Sequence, residues 1–470
     1  IVDPQNYKLL AQNGVIICLE AKPETIYQRL FQDAVYVPET EVRPLLSDDN
    51  PLERITQLKA SRQPYYANAD WTVHTDNLSI SQVVEEVIRG WGLKGEGEEL
   101  KARYDIDKDV ACMVKTATQS YPVFVGCGLL GKLGEKIKES GLSGIVTIIS
   151  DETVFSLYGS EVEEVLKNAG FTVNSFVVPP GEETKNINSA IKIYDFLVEH
   201  HVERDDILIA LGGGMVGDLA GFVAATFLRG MPWIQVPTSL MAMVDASIGG
   251  KVGVNHPQGK NLIGAFYQPS FVLADVQSLL TLSQRELTSG WAEVIKYGLI
   301  LDKVFFEFLE ANTERLIKLE SNVVSKAIAR SAAIKAQVVS EDEKERGKRT
   351  ILNYGHTIAH GLEAASGYKR FLHGEAVAIG MMGAAKLSQR LGLLSSDGIE
   401  LEEVLIARFN LPTNFSNVEL AKVIKAMELD KKTRGKAIRW VLLSKIGEVV
   451  IRSDVPQQEV QAVLQELSGQ

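Results

Sequence analysis

The sequence predicts a multidomain protein: an N-terminal α/β fragment, a second α/β domain with a largely parallel sheet, and a mainly helical C-terminal domain. Three observations carry this reading. The chain has 470 residues, too many for one ordinary hydrophobic core. Between residues 112 and 277 short apolar runs alternate with helical patterns, the signature of parallel strands joined by crossover helices. From Thr281 the apolar spacing becomes helical almost to the end. The boundaries read 1–93 for the first domain, 94–111 for a charged, glycine-punctuated linker (KGEGEELKARYDIDKD at its centre), then 112–277 and 278–470.

Composition bounds the function classes. Apolar residues make 45% and charged residues 23% of the chain, the balance of a soluble globular protein. A net charge of -11 argues against a nucleic-acid surface as the main business of the chain, though a local basic pocket for an anionic substrate remains compatible with it. Cys18, Cys112 and Cys127 form no CxxC pair, so reduced thiols in a cytoplasm are expected. No uncharged run is long enough to span a bilayer. The opening IVDPQNYKLL lacks the basic start of a signal peptide. It also lacks methionine and reads as the middle of a domain, so a truncated chain is expected.

In the first domain, Gly14 to Ala21 reads as a buried strand, and Thr25 as the cap of a helix TIYQRLFQ. A further helix should end near Arg62-Gln63, because Pro64 disfavours helix before it. WTVHTDN reads as an edge strand and SISQVVEEVIRGW as a closing amphipathic helix.

The second domain opens with the strand YPVFV and a glycine turn into a helix. Gly126, Gly128 and Gly131 match GxGxxG, a weak cofactor signal, and Leu133 stands where a P-loop needs Ser or Thr. Strands GIVTIISD, FTVNSFVV and DDILIALGGG follow, each with a helix after it. The richest turn is LGGGMVGD, Leu211 to Asp218, where glycines let the backbone approach a pyrophosphate that faces a helix N-terminus. Beyond it, Asp245, Lys251, Lys260 and Asn261 read as side chains of glycine-rich loops near a pocket, with lysines suited to phosphate or carboxylate.

In the third domain Glu293 and Lys296 share a helix face among apolar neighbours, which implies burial. Lys335, Glu345, Arg349 and Asn353 line up along the following helices toward LNYGHTIAHGLEAASGYKRFLHGEA, Leu352 to Ala376. That stretch holds His356, His360 and His373, three of the seven histidines. One His pair at helical spacing is more often solvated or packed than ligating. Three among glycines, beside Asn353 and Glu363, point instead to a metal site. Lys431-Lys432 read as a turn before a small hairpin.

Two resemblances organise these motifs. GGGMVGDLAGFVAATFLRG, QVPTSLMAMVDASIGGKVGVN, GKNLIGAFYQP, GWAEVIKYGLI and NYGHTIAHGLEA followed by HGEAVAIGM lie in order, and residues 112–465 resemble 3-dehydroquinate synthase. RPLL at Arg43 to Leu46 and the R-x-P-x-Y arginine Arg62 resemble the C-terminal part of shikimate kinase, a P-loop kinase-like fold. No GxxxxGK(S/T) occurs in the chain, so kinase activity is not expected of it.

The first resemblance implies a Rossmann-like α/β domain binding NAD, a helical domain binding zinc or cobalt, and an active site between them. It implies Glu293, His356 and His373 as metal ligands, which moves His360 from ligand to acid/base work. It places NAD against Asp151, Glu182, Glu183, Lys185, Gly214, Met215, Val216, Gly217, Asp218, Thr238, Ser239, Lys251, Lys260, Thr281 and Leu282. It places substrate against Asp245, Lys251, Asn261, Lys296, Lys335, Arg349, Asn353, His360 and Lys432, with Arg229 reaching a neighbouring subunit in a homodimer. Catalytic roles fall to Glu345, His360, Lys251, Lys296 and Asn353. The implied reaction converts the phosphorylated sugar acid 3-deoxy-D-arabino-heptulosonate 7-phosphate to 3-dehydroquinate, in the route to aromatic amino acids. It proceeds by transient oxidation, β-elimination of phosphate, reduction and aldol closure. Other sugar-phosphate cyclases and metal-dependent polyol dehydrogenases share this layout; the lysines and arginine for phosphate favour a cyclase. Neither nucleic acid nor membrane is expected as a partner.

Overall fold

The computed structural model describes residues 16–31, 50–66, 69, 71–76, 78, 83, 87, 109–117, 119–345, 347–434 and 438–469. The chain divides into two compact units, Ile1–Ile106 and Asp107–Gln470.

In the first unit β1 (Ile17–Glu20) pairs in parallel with β2 (Trp71–His74), with α1 (Pro23–Phe31) and α2 (Pro51–Tyr66) between them in sequence. Two expectations are corrected. Thr25 lies inside α1 rather than capping it, and its hydroxyl donates to Asp76 at 2.6 Å. Helix α2 does not stop before Pro64 but continues to Tyr66. Arg62 lines a cavity of about 420 Å³ with Ile16, Cys18, Leu19, Ile55 and Leu58. Arg43, most of SISQVVEEVIRGW and nearly all of the linker lie outside the described residues.

The second unit begins a little before residue 112, with β3 (Val110–Lys115) antiparallel to β4 (Ser120–Gly126). Then come α3 (Leu133–Glu139), β5 (Ile145–Asp151), α4 (Ser160–Asn168), β6 (Thr172–Val178), α5 (Ile187–Glu199), β7 (Ile207–Gly212), α6 (Gly214–Thr226) and β8 (Trp233–Pro237). The hairpin β9 (Lys251–His256) and β10 (Gly259–Phe266) precedes β11 (Phe271–Asp275). Seven strands form one sheet in the order β3-β4-β11-β8-β7-β5-β6, parallel except at the β3–β4 edge. Central strands such as β7, ILIALG, are buried throughout, as expected where helices cover both faces. Their C-terminal ends deliver Asp151, the Gly212 turn and Pro237-Thr238 to one rim, the place where open α/β sheets bind ligands.

Helices α7 (Gln284–Leu301), α8 (Lys303–Ile317), α9 (Ser321–Glu341), α10 (His356–Ala365), α11 (His373–Arg390), α12 (Ser396–Arg408) and α13 (Leu420–Arg434) follow. The hairpin β12 (Trp440–Lys445) and β13 (Glu448–Arg452) and helix α14 (Gln457–Ser468) close the chain. Four more expectations are corrected. Lys251, Lys260 and Asn261 sit on the β9–β10 hairpin, not in loops; the glycines there serve close strand approach, since a Cβ on Gly264 would lie 2.3 Å from the Val252 carbonyl. The helical pattern breaks after α9, so Glu345 stands outside any helix with φ +54°. Arg349 and Asn353 occupy a short 3₁₀ turn rather than an α-helix. Lys431 and Lys432 belong to the end of α13, not to a turn, and their side chains lie outside the described set.

Candidate active site and metal centre

Helix α7 starts from a Ser283 cap, whose hydroxyl accepts from the Glu286 N–H, and is buried continuously from Ser289 to Ile300. Such a helix can carry polar side chains only where they meet partners. Glu293, Lys296 and Tyr297 stand three and four apart and so share a face. The Glu293 side chain is 1% exposed and the Lys296 ammonium contacts its carboxylate. Oε2 meets that ammonium, and Oε1 is buried without a hydrogen-bond partner.

Two imidazoles face that carboxylate. His356 opens α10 and His373 opens α11, with their Nε2 atoms 3.6 and 3.9 Å from Glu293 Oε1. One ligating atom from each of the three residues lies within 4.8 Å of the others. Close helix packing sets this arrangement. A Cβ on Gly374 would lie 1.8 Å from the Ser289 carbonyl of α7, and one on Gly380 would lie 2.0 Å from the Gly355 carbonyl before α10. Burial, reinforced by Lys296 and the neighbouring histidines, keeps His356 far below its ordinary pKa and hence neutral, the form that ligates metal. The His360 ring stands 5.6 Å from His356 and 6.4 Å from His373, beside the triad rather than within it.

A second charged group adjoins the first. Lys335 of α9 donates to the Asp245 carboxylate at 2.6 Å, and the Tyr297 hydroxyl donates to the same oxygen at 3.1 Å. Burial would raise Asp245, but the Lys335 and Lys296 ammoniums outweigh it and hold the carboxyl well below its usual range. Burial likewise lowers Lys335, to about 8, with the Arg349 and Lys296 charges adding to it against the pull of Asp245. Arg349 is buried and donates to the Glu343 carbonyl at 2.8 Å. Glu345 meets the exposed Lys251 ammonium and accepts a hydrogen bond from Asn353; these outweigh burial and keep its carboxyl below the ordinary value.

The sheet rim holds a third group. Lys185, its side chain 5% exposed, donates to Asp218 at 2.9 Å and to Asn261 at 2.7 Å, with Glu182 at 3.2 Å. Glu182 in turn accepts from Asn255 at 2.8 Å, tying the PPGEETK loop to the hairpin. Gly214, Met215, Val216 and Gly217 form the first turn of α6, and a Cβ on Gly217 would meet Gln235 at 2.1 Å. Asp151 caps the next helical turn by accepting from Thr153 and Val154. The Thr238 N–H donates to the Gly212 carbonyl, and Ser239 Oγ approaches Gly213. Thr281 pairs with the Tyr158 hydroxyl at 2.6 Å, immediately before Leu282. Glu183 is exposed, and Lys260 lies over the Tyr368 ring at 4.4 Å. Arg229 is exposed in a turn where Leu228, Arg229 and Gly230 all have positive φ. The GxGxxG loop is satisfied internally: Asp275 accepts from the Gly128 and Leu130 N–H groups at 3.0 and 2.9 Å.

Known proteins share this layout. The 3-dehydroquinate synthase N-terminal family covers residues 175–289 and its C-terminal counterpart residues 290–433. The 3-dehydroquinate synthase of Desulforamulus reducens is 46% identical over 352 residues, covering 75% of this chain and 98% of that one. The chain belongs to the 3-dehydroquinate synthase family. The enzyme of that name from Nostoc punctiforme is also 46% identical over 355 residues, covering 75% of this chain and 98% of its own. The shikimate kinase family matches residues 1–90.

Solved structures agree with the family assignment. A 2-epi-5-epi-valiolone synthase from Streptomyces hygroscopicus, with NAD+ and Zn2+ bound, superimposes with a TM-score of 0.69 at 28% identity, covering 74% of this chain and 97% of its own. A 2-deoxy-scyllo-inosose synthase complexed with carbaglucose-6-phosphate, NAD+ and Co2+ gives 0.69 at 26% identity over 76% of this chain and 99% of its own. Glycerol dehydrogenase from Schizosaccharomyces pombe shares the fold alone, with a TM-score of 0.54 at 15% identity over 74% of this chain and 88% of its own.

Four residues around this 3-dehydroquinate synthase-family site escaped motif reading. Tyr297 had a signal, its place four residues after Glu293. Asp275 had a weaker one, the polar end of an apolar strand. Tyr158 and Glu402 had none, because only the tertiary fold brings Tyr158 to Thr281 and buries Glu402 against the Tyr354 hydroxyl, two residues before His356.

Proposed function

We propose that residues 107–470 form a 3-dehydroquinate synthase, converting 3-deoxy-D-arabino-heptulosonate 7-phosphate to 3-dehydroquinate and phosphate. The observation that carries the reading is the buried Glu293 carboxylate facing His356 and His373, on a chain 46% identical to enzymes of that name. Two imidazoles and one carboxylate are a donor set that leaves coordination positions open to substrate. Glu293 also fits as a ligand because its Oε1, the oxygen that faces both imidazoles, is buried without a hydrogen-bond partner, while Oε2 meets the Lys296 ammonium. Bound zinc or cobalt would supply Lewis acidity toward substrate hydroxyls, and NAD a reversible hydride acceptor.

The chain's own residues supply the rest. The sheet rim, from Asp151 through the α6 N-terminus to Lys185 and Thr238, would hold the dinucleotide, with Glu182, Glu183, Ser239, Lys260, Thr281 and Leu282 around it. Lys251, Lys335 and Arg349 would meet phosphate and carboxylate, Arg349 with a planar fork suited to a carboxylate. Asp245 keeps the buried Lys335 ammonium in place. Lys296, Asn261, Asn353 and Lys432 would complete the substrate contacts, while His360 and Glu345 move protons. Arg229, held outward by its turn, would complete the site of a second copy in a homodimer.

The test is phosphate release from the sugar acid with NAD and zinc, before and after chelation. Chelator-sensitive release without net NADH is expected. Net NADH from a polyol, with no phosphate, would place the chain among the dehydrogenases instead. For Arg229, mixing inactive Arg229→Ala with inactive Glu293→Gln should restore part of the activity if sites are shared across subunits; unchanged inactivity would reject the sharing.

A further inference from the structure

His356 and His373 turn the same nitrogen toward Glu293 but are held from behind by different groups. The His356 Nδ1 faces the Tyr354 carbonyl at 3.1 Å, whereas the His373 Nδ1 faces the Glu363 carboxylate at 3.2 Å. An imidazole whose Nδ1–H is engaged is fixed in the tautomer with a free lone pair on Nε2. In both rings Nε2 is the nitrogen that approaches Glu293.

The two rings do not need the same support. His356 is 13% exposed and is held by backbone two residues away, at a turn that Gly380 packs against. His373 is 39% exposed and follows a turn in which Gly367 and Tyr368 have positive φ. That ring meets the His356 and His360 rings at 5.3 and 6.4 Å, and its Nδ1 is held by the Glu363 hydrogen bond. Glu363 is suited to supply it: it lies on α10, across the turn from His373, and its side chain is only 13% exposed.

We propose that Glu363 is a positioning residue for the metal: its carboxylate takes the Nδ1–H of His373, aims the Nε2 of that ring at the ion, and makes it a more basic ligand. This rests on the proposed Glu293, His356 and His373 triad. Carboxylates behind a ligating histidine typically contribute about 10–100-fold to metal affinity.

The test is zinc affinity of the full chain by competition with a chromophoric chelator, for wild type, Glu363→Gln and Glu363→Ala. Glu363→Gln, which keeps an acceptor but removes the charge, should weaken zinc about tenfold, and Glu363→Ala up to about 100-fold. Glu363→Asp should recover part of the loss. The melting temperature of the metal-free protein should barely change, while its rise on adding zinc shrinks. The visible spectrum of the cobalt-loaded protein should differ between wild type and Glu363→Ala. If Glu363→Ala does not fold, Glu363→Gln carries the comparison. Wild-type zinc affinity in both variants would overturn the proposal, as would a loss matched by equal destabilisation of the metal-free protein. A wild-type chain that binds no zinc would instead reject the triad, and this proposal with it.

Discussion

The Tyr354 hydroxyl lies 3.1 and 3.0 Å from the two carboxylate oxygens of Glu402, and neither residue has exposed surface. The same hydroxyl reaches the Met381 carbonyl at 3.2 Å. One phenol proton cannot serve an ionised carboxylate and a carbonyl together. Burial pushes the Glu402 carboxyl well above its ordinary pKa, so it is a neutral acid that donates to the phenol, freeing the phenol proton for Met381. The chain therefore fixes the turn before His356 with a proton as well as with packing.

That proton makes stability depend on pH. Unfolded, Glu402 ionises near its ordinary value; folded, it stays protonated, so the native state holds the extra proton. The stability it contributes is complete below the unfolded pKa and is lost as pH rises toward the folded one. Wild type should therefore lose stability relative to Glu402→Gln, by up to about 1.4 kcal/mol per pH unit above the unfolded pKa. Denaturant midpoints between about pH 5 and about pH 8 measure this, with the linkage slope set by one proton. A constant difference would mean Glu402 is ionised in the fold.

Lys335 makes activity depend on pH in the alkaline range. Its pKa of about 8 means the ammonium that would meet an anionic substrate is lost as pH rises through that value. In the wild type kcat/KM should fall above this point, by about tenfold per pH unit if the charge is indispensable. Lys335→Met should lower kcat/KM by about 100-fold and abolish the alkaline limb. An unchanged limb in the variant would assign it to another group.

Glu293 and Lys296 stabilise each other where almost no water reaches. Glu293→Ala would leave a buried ammonium uncompensated, at a cost of about 3–5 kcal/mol. Glu293→Gln keeps the shape and should cost less. Zinc binding should be lost in both, so calorimetry separates the structural loss from the metal loss.

Gly380 permits the contact between α11 and the turn before α10. With a Cβ there 2.0 Å from the Gly355 carbonyl, Gly380→Ala must push the helices apart. A loss of about 1–3 kcal/mol and weaker zinc binding are expected, since the same displacement carries His356 away from Glu293. Gly131→Ala, whose Cβ would meet nothing within 4 Å, should be near neutral by thermal melting.

Much of this was legible in the sequence because the signals were local. Buried β-branched runs gave the strands of the sheet, and the spacing of Glu293 and Lys296 gave a shared helix face. What was hidden depended on tertiary placement or on short-range backbone choice. The β9–β10 hairpin looks like loops in the sequence because its glycines, needed for strand contact, resemble turn residues. SEDEKERGK is polar and helix-compatible, so the sequence suggests a helix through Glu345, although the chain turns there with φ +54°. The local pattern of His356 and His360 suggested a ligand pair; the geometry instead joins His356 to His373 and Glu293, residues separated in sequence.

The Asp275 carboxylate bears on redesign of cofactor preference. It already occupies the Gly128 and Leu130 N–H groups of the GxGxxG stretch from Gly126 to Gly131, whereas the second such stretch, Gly212 to Gly217, opens α6. Diversifying that loop to trade one nicotinamide cofactor for another would spend a library on a plug rather than a socket. If the proposed rim holds the dinucleotide, changes near Asp218 and Lys185 should alter cofactor choice instead, and a library split between the two regions would reveal the difference within a single selection round.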